Sequence, residues 1–418
     1  MIESTFRQKH NSLTRRYFLR LAALSTAALT TTSNGDETPK RLSLESALDD
    51  LESYLTRDED FQDVSRGKPK PHRLTDQQKH DAGMTKETWR LEVISDPEHP
   101  ANIQTPLTKE SGTALDWDGL QQLAKTKAVR FPKVMTCLNI GCPLGMGIWE
   151  GVPLRDVVWM TNPTADLRRV FYSGYHNDDP KQIFRSSLPI GRVLEDPTGL
   201  PPVILCYKLN GDWLSSERGG PVRIVVPEAY GFKSVKWINR LVLSNLFHAN
   251  DTYAEKNNDI DSPLKTFAAT IFVPDELAAD QPIPITGYAQ AGIAGLSKVQ
   301  TLIYPFDQRP EAEDPNLTRG EWRDADILGV PDEWGGDLPE NRIPTPTHGF
   351  DEDGKPSSWP MRLSKAHWAT LLPGLPPGKY KLRCRTIDQN GQAQPMPRPF
   401  AKSGRTAIEQ RVFVVKPT

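Results

Sequence analysis

The chain has 418 residues, of which 37% are hydrophobic, and it contains 37 prolines. This length exceeds what one hydrophobic core usually organises, so two domains with extensions are expected. The formal net charge of −2 excludes the strongly basic surface that general nucleic-acid binding requires. No segment offers about 20 uninterrupted apolar residues, so no membrane-spanning helix is expected in the folded body. The four cysteines are too few and too scattered for a disulfide scaffold.

The first residues carry a pattern typical of an export signal. The pair Arg15-Arg16 is followed by Tyr17-Phe18-Leu19 and a weakly apolar run over residues 21–29. This order resembles a twin-arginine (Tat) signal, which we assign to residues 1–34. Because the Tat route carries proteins that fold before export, often around a cofactor, it predicts a periplasmic or cell-envelope location. The alternatives are a chance basic patch on a helix and, since no small-x-small pattern closes the run, an uncleaved anchor.

Residues 35–73 are predicted to form a helix and a linker. A polar, proline-containing stretch over residues 65–71 predicts irregular backbone. We expect the whole segment to pack on the body of the protein rather than to take part in chemistry. One amphipathic helix is predicted before the linker, since apolar residues recur there at helical spacing: Leu44, Ala47, Leu48, Leu51 and Leu55.

The next part of the chain, residues 74–260, has the pattern of a mixed α+β domain. A short helix is predicted over residues 117–123. Strands are predicted where short apolar or alternating runs are bounded by loop residues, at 89–94, 133–136, 170–173 and 203–208.

The last part, residues 261–418, changes character and predicts a β-sandwich without helices. Its long insert, residues 309–359, is acidic and rich in proline, and we expect it to be a mobile surface loop. Strands are predicted at 268–273, 299–304, 380–387 and 410–415.

Four cations within nineteen residues mark the first chemical motif. Arg218, Arg223, Lys233 and Lys236 lie on short, glycine-rich, strand-like backbone. Such cations, together with backbone amides of a glycine-rich turn, are what a phosphate-bearing cofactor requires. Lys236 and Arg240 are four residues apart in this strand-like segment and are expected to share one face. The alternative for each cation taken singly is a solvated surface charge.

The second chemical feature is Cys137, which ends a predicted strand and precedes the cationic segment in the chain. A thiolate suits a metal that cycles between high oxidation states, and the two motifs together indicate a metal–pterin site. One alternative is that Cys137 is a small buried hydrophobe, and another is that Cys142 is the ligand. A disulfide between Cys137 and Cys142 would disable the site. Cys206 and Cys384 lie in apolar, strand-like patterns and are predicted core residues.

These motifs, with others in the same order, resemble the sulfite oxidase family of molybdenum–molybdopterin oxidoreductases. The resemblance implies an α+β fold, with a molybdopterin-binding catalytic domain over residues 74–260 and an immunoglobulin-like dimerisation domain over residues 261–418. It covers most of residues 85–400, and its matching segments are Cys137, 149–157, 207–211, 218–240, 285–289 and 385–391.

The resemblance also implies roles for individual residues. Cys137 would be the thiolate ligand of molybdenum and the catalytic residue, and the cofactor would be Mo-molybdopterin. For His99 the alternative is an ordinary loop residue. The residues implied to surround the cofactor are Asn139, His99, Arg218, Arg223, Lys233 and Lys236.

The loop after Cys137 departs from the family pattern. Sulfite oxidases continue there with glycine-asparagine and two arginines, one of which helps to bind sulfite. Here residues 138–142 contain no cation, and the next one along the chain is Arg155. The catalytic tyrosine of the family has no secure match either, since Tyr253 is the nearest tyrosine and is out of register. A dianion would lose charge-assisted partners, which argues against sulfite as the physiological substrate.

The predicted function is two-electron oxygen-atom transfer on a small substrate, with sulfur-containing compounds included. Electrons would be exchanged with an external cytochrome or quinone protein, because the sequence shows no haem-attachment motif and no iron–sulfur cysteine set. The alternatives are a reductive enzyme like the sulfoxide reductases and a non-catalytic exported binding or scaffold protein on the same fold. A homodimer through residues 261–418 is implied by the resemblance alone.

Overall fold

The computed structural model describes residues 43–49, 51–177, 179–261, 263–395, 400–405 and 407–417. The predicted export signal therefore lies outside the described residues. The α-helices within the described part are α1 (Leu44–Asp49), α2 (Asp76–Asp81), α3 (Trp117–Lys127), α4 (Leu154–Trp159) and α5 (Ile190–Leu194). None of these helices is long and apolar enough to cross a membrane.

Strands make up most of the regular structure. In the first half of the chain they are β1 (Arg90–Ser95), β2 (Leu115–Asp116), β3 (Val129–Thr136), β4 (Pro143–Pro153), β5 (Arg169–Gly174), β6 (Arg185–Pro189), β7 (Ile204–Leu209), β8 (Asp212–Trp213), β9 (Arg223–Val225) and β10 (Ile238–Ser244). In the second half they are β11 (Phe267–Phe272), β12 (Glu276–Ala278), β13 (Ile283–Ala291), β14 (Lys298–Pro305), β15 (Arg323–Ile327), β16 (Ser364–Leu372), β17 (Gly378–Ile387) and β18 (Glu409–Lys416).

Two five-stranded sheets organise the first half. One has the order β2-β1-β10-β5-β6, in which β1 and β10 run parallel, and the other has the order β3-β4-β7-β8 with β9 beside β7. Apolar side chains such as Trp89, Leu205 and Ile238 are buried between the sheets and the short helices. The strands and the helix predicted over residues 89–208 are confirmed, with ends shifted by a few residues.

The longest strand of the first half, β4, was not among the predicted strands. Leu144, Met146 and Ile148 do alternate along it, but the positions between them are glycines, which strands generally lack. A Cβ added at Gly151 would collide with the backbone of Leu205 on β7, so glycine allows these two strands to pack closely.

The second half forms an eight-stranded assembly in the order β11-β13-β16-β15-β14-β17-β18-β12. Its core includes Trp368, Leu382 and Phe413, each at most 1% exposed. The four predicted strands are confirmed. The expectation that residues 309–359 are a plain surface loop is wrong, because β15 lies within this insert and pairs with both β14 and β16. Trp334 of the same insert is buried against the Tyr54 ring, with 5.2 Å between the ring centroids.

The segment before α2 takes a different path from the predicted one. The helix predicted over residues 44–55 ends at Asp49. Leu55 is fully buried, and its N–H donates to the Trp334 carbonyl at 2.8 Å, so tertiary contact overrides the helical spacing.

Residues 56–73, which we call the strap, then run along β4. Thr56 donates its N–H to the Met146 carbonyl at 2.8 Å, and Gln62 donates to the Leu144 carbonyl at 2.8 Å. A Cβ added at Gly145 would collide with the Phe61 ring, so glycine lets the strap approach the strand. The segment packs on the body, as expected, but it also reaches the functional site described below.

Candidate functional site

A cavity of about 440 Å³ opens between the loop after β3, the segment joining β8 to β10 and the strap. Two of the seven predicted site residues, His99 and Lys233, do not line it. The other five do, and the structure therefore brings them together: Cys137, Asn139, Arg218, Arg223 and Lys236.

Cys137 directly follows β3, in a tight turn. Gly141 donates its N–H to the Cys137 carbonyl at 2.7 Å, and Cys137 donates to the Cys142 carbonyl at 3.3 Å. Gly141 has a φ of +73°, and a Cβ added there would lie 2.7 Å from the Cβ of Arg405, so glycine is required in this turn.

Cys137 differs from the other three cysteines in its exposure. It is partly exposed, whereas Cys142, Cys206 and Cys384 are buried. No disulfide joins any of the four, all of which lie among the described residues. Burial raises the pKa of Cys206 to about 12, so this thiol keeps its proton at neutral pH. Cys137 is therefore the cysteine whose sulfur is available to a ligand in the cavity.

Arg223 is the first residue of β9 and is only 4% exposed. Its Nη1 donates to the Arg218 carbonyl at 2.9 Å, and its Nη2 donates to the Ser234 carbonyl at 2.7 Å. Its Nε has no hydrogen-bond partner among the described residues. Burial lowers the pKa of Arg223 to about 10. This guanidinium thus has neutral carbonyl partners and one unused donor, an arrangement that an anion would complete.

Lys236 extends the positive wall of the cavity. Its Nζ donates to the Glu217 carbonyl at 2.6 Å and to Ser65 Oγ at 2.7 Å, and lies 3.2 Å from Asp63 Oδ1. Burial and the nearby charge of Arg223 lower the pKa of Lys236 to about 7, although Asp63 opposes them.

A glycine brings the two cationic segments together. Gly219 has a φ of +100°, and a Cβ added there would lie 2.7 Å from the Lys236 side chain. Next to this glycine, the Arg218 guanidinium is 2.7 Å from Glu217 Oε1 and 3.5 Å from Asp58 Oδ1. Three cations of the predicted motif therefore converge on one cavity, and two of them have carboxylate partners.

Tyr253 also lines the cavity, although the sequence placed it out of register for a catalytic role. Its hydroxyl donates to Asn139 Oδ1 at 3.2 Å, and its ring stacks on Phe232 with 4.4 Å between centroids. Burial raises the pKa of Tyr253, and the nearby Cys137 acts in the same direction, whereas Arg66 opposes them. Tyr253 is therefore a neutral hydrogen-bond donor at physiological pH.

Arg66 is, with Lys70, one of two cavity cations that sequence reasoning missed. It belongs to the strap, lines the cavity and is exposed. Its guanidinium carbon lies 4.5 Å from the centroid of the Phe184 ring and 5.9 Å from that of the Tyr253 ring. Its polar, proline-containing neighbourhood predicted only a linker, so no signal in the sequence connected Arg66 with Cys137.

The remaining predicted residues lie elsewhere. His99 is at the end of β10, where its carbonyl accepts from the Asn245 N–H at 3.0 Å. Lys233 is buried and donates to the Ser187 carbonyl at 2.6 Å, a contact that joins its turn to β6. The expectation that Lys236 and Arg240 share a face is wrong, because β10 begins only at Ile238 and its register with β5 shifts between Ile238 and Arg240. Arg240 is exposed and pairs with Glu92 at 2.8 Å.

Comparison with known proteins identifies the domain that holds the cavity. Residues 81–250 match the family described as oxidoreductase molybdopterin binding domain. Mitochondrial sulfite oxidase of Drosophila melanogaster is 30% identical over 116 residues, which are 28% of this chain and 19% of that protein. Sulfite oxidase of Gallus gallus is 34% identical over 99 residues, or 23% of this chain and 21% of that protein. Nitrate reductase [NADPH] of Pichia angusta is 32% identical over 98 residues, or 23% of this chain and 11% of that protein.

A solved structure extends the similarity beyond this domain. The sulfane dehydrogenase SoxCD from Paracoccus pantotrophus aligns with a TM-score of 0.56 and 16% sequence identity, over 93% of this chain and 96% of that chain. The fold is therefore shared over nearly the whole length, whereas these three curated relatives match only about a quarter of this chain and at most 21% of their own length.

The residues around the cavity fit the cofactor of this domain. Arg218, Arg223 and Lys236 supply positive charge, the unused Nε of Arg223 included, for an anionic, phosphate-bearing pterin. Cys137 supplies an accessible sulfur for molybdenum. Residues 81–250 are thus similar to the oxidoreductase molybdopterin binding domain, and parts of the chain are similar to sulfite oxidases and a nitrate reductase.

Proposed function

We propose that the protein is a molybdenum-cofactor-dependent oxidoreductase that transfers one oxygen atom to or from a small substrate. The observation that carries this proposal is the convergence of the accessible Cys137 sulfur and three cations on one cavity. When bound, the cofactor supplies a metal centre that exchanges two electrons and an oxygen atom with the substrate. In the oxidative direction water provides the oxygen atom, and two protons and two electrons leave for an external carrier.

Side chains of this protein would bind the metal, the anionic groups of the cofactor and the substrate. Cys137 would hold the metal through its thiolate, while Arg218, Arg223 and Lys236 would hold the anionic groups of the cofactor by charge-assisted hydrogen bonds. Tyr253 keeps its proton, which it donates to Asn139 Oδ1, and its single O–H can reach a substrate oxygen only by turning away from Asn139. The aromatic rings of Phe184 and Phe232 pack on Tyr253 and limit the access of water to it.

The partners and the location follow as parts of the same proposal. None of the four cysteines belongs to a Cys-x-x-Cys-His haem motif, so we propose that a separate cytochrome or quinone protein exchanges electrons with the cavity. The pair Arg15-Arg16 supports export by the Tat route to the periplasm or cell envelope. We also propose that residues 261–418 are an immunoglobulin-like domain through which two copies of the chain associate.

The first experiment measures molybdenum per protein molecule by elemental mass spectrometry, after expression in a host that makes the molybdenum cofactor. We expect near-stoichiometric molybdenum in the wild type and in Cys142→Ala, and loss of the metal in Cys137→Ala. Cys142 is the matched control because it lies in the same turn but is fully buried. Full molybdenum in Cys137→Ala would overturn the ligand assignment. Folded, metal-free wild type would favour a binding or scaffold role instead.

The second experiment tests the direction of electron flow. Oxidation of sulfite and related oxo-acids is followed with ferricyanide as acceptor, and reduction of sulfoxides is followed with reduced viologen as donor. Turnover in the first assay supports the oxidative enzyme, and turnover in the second alone supports the reductive one. A molybdenum-loaded protein that is inert in both assays would contradict oxygen-atom transfer on these substrates.

A further inference from the structure

We propose that Arg66 of the strap binds a small oxyanion substrate at the mouth of the cavity. This inference rests on the proposed function, because it names the class of substrate that the same site would accept. It also assigns substrate binding to a cation of the strap, because the turn after Cys137 contains no cation.

The cavity near Cys137 has few positive charges that are not already paired or buried. The turn over residues 138–142 contains no cation. Among the cavity cations, Arg218 pairs with Glu217, both Lys70 and Lys236 pair with Asp63, and Arg223 is buried in the wall. Arg66 is exposed, lines the same cavity and has no carboxylate partner within 4.0 Å among the described residues. It is thus the cavity cation that remains available to a ligand arriving from solvent.

The Arg66 guanidinium lies against the Phe184 and Tyr253 rings, at 4.5 Å and 5.9 Å from their centroids. Tyr253 in turn donates to Asn139, two residues after Cys137. A cation, a neutral phenol and an amide therefore follow one another along the wall. A small oxyanion can accept a charge-assisted hydrogen bond from Arg66, and also one from Tyr253 if the single Tyr253 O–H turns away from Asn139.

The strap is anchored on both sides of Arg66. Asp63 lies 2.6 Å from Lys70 Nζ and 3.2 Å from Lys236 Nζ, and it accepts from Ser65 Oγ at 2.5 Å. The backbone from residue 63 to residue 70 is thereby fixed at its ends, and the Arg66 side chain projects from between them. Such preorganisation lowers the entropy lost when an anion binds.

The test measures binding of sulfate to the molybdenum-loaded protein by isothermal titration calorimetry, without any electron donor. Sulfate has the charge and shape of an oxyanion, and its sulfur cannot be oxidised further. We expect Arg66→Gln to weaken sulfate binding by about tenfold or more, since a charge-assisted hydrogen bond is lost. Arg66→Lys should retain part of the affinity. Lys68→Gln is the matched control, because it removes one charge from the same segment at an exposed position outside the cavity.

Each outcome decides the proposal independently of turnover. Selective weakening in Arg66→Gln, with molybdenum content unchanged, supports it even if the wild type oxidises no substrate in the assays above. Equal weakening in Lys68→Gln would show a general charge effect and overturn it, as would unchanged binding in Arg66→Gln or no sulfate binding by the wild type. Loss of molybdenum from Arg66→Gln would mean that Arg66 holds the cofactor, and this outcome also contradicts the proposal.

Discussion

The two halves of the molecule treat buried charge differently. In the eight-stranded assembly, Lys365 pairs with Glu52, and Lys381 lies 3.2 Å from Glu311. Around the cavity, Lys236 pairs with Asp63, but the side-chain hydrogen bonds of the buried Arg223 go to two backbone carbonyls. A buried charge without an opposite charge costs free energy of folding, so its retention in a cavity indicates a ligand that compensates for it.

Lys133 shows that a buried charge needs a cavity as well before it indicates a site. It is fully buried, donates to the Pro227 and Ala229 carbonyls at 2.8 Å and 2.7 Å, and has a pKa lowered to about 7. It does not line the cavity, and its ammonium joins β3 to the segment after β9. A buried charge therefore indicates a binding site only where it also lines an open cavity.

The largest effect should come from the second half, on stability alone. Leu382 is fully buried in the core of the eight-stranded assembly. We expect Leu382→Ala to lower the free energy of unfolding by roughly 2–5 kcal/mol, because the substitution leaves a cavity. Urea unfolding followed by tryptophan fluorescence measures the change. Molybdenum per folded molecule should stay at the wild-type value. Its loss would show that packing in the second half also controls cofactor binding in the first half.

The next effect should come from the cavity, on cofactor content. Arg223→Gln removes the charge of a guanidinium that faces the cavity, and charged hydrogen bonds are worth roughly 1.5–3 kcal/mol each. We expect molybdenum per protein to fall at least about tenfold. Arg385→Gln is the control from β17, where the arginine bonds to Gln300 at 3.0 Å, and it should keep its molybdenum. An equal loss of molybdenum in both variants would show that arginines of the two halves do not differ in their effect on cofactor binding.

A smaller effect should appear as a dependence on pH. The pKa of Lys236 is lowered to about 7 in the folded, cofactor-free protein, so this side chain is charged at pH 6 and largely neutral at pH 8. Binding of inorganic phosphate to cofactor-free protein should therefore weaken by up to about tenfold per pH unit above 7, after correction for the charge of phosphate itself. Lys236→Arg keeps its charge and should flatten the corrected profile. A wild-type profile as flat as that of the variant would contradict the assignment.

The smallest effect concerns the strap. Burial raises the pKa of Asp63, but hydrogen bonds from Lys70 and Ser65 and the charge of Lys236 outweigh it, so this pKa lies well below its ordinary value. The stabilisation is therefore present above pH 4 and is lost as the pH falls. We expect Asp63→Asn to cost about 1 kcal/mol and to speed proteolysis within residues 64–70. Asp81→Asn, at an exposed position, should leave the rate unchanged, and faster cleavage in both variants would argue against a specific anchor.

The parts of the site that could be predicted are local in sequence. Cys137 ends a recognisable strand, and Arg218, Arg223 and Lys236 lie within one short motif. The prediction therefore required only that these two segments lie close together in the fold, as they do. Arg66 could not be found in this way, because its position depends on the path of the strap across β4.

The misses in the fold have the same cause, since tertiary contacts decide between local alternatives. The helix predicted to reach Leu55 stops at Asp49, where the chain turns toward a buried contact with Trp334. Strand β4 was missed because the glycines needed for close packing, which strands generally lack, stand between its alternating apolar residues. Tyr253 follows β10 in a short turn without periodicity, so its distance in sequence from the cationic motif said little about its distance in space.

The contact between Phe61 and Gly145 has a consequence for the order of assembly. The strap is hydrogen-bonded along β4 at Thr56 and Gln62, and its residues 61–66 form one wall of the cavity. We expect a cofactor of the size of a pterin to enter most readily before the strap packs on β4, and its rate of loss to rise in variants that weaken this packing.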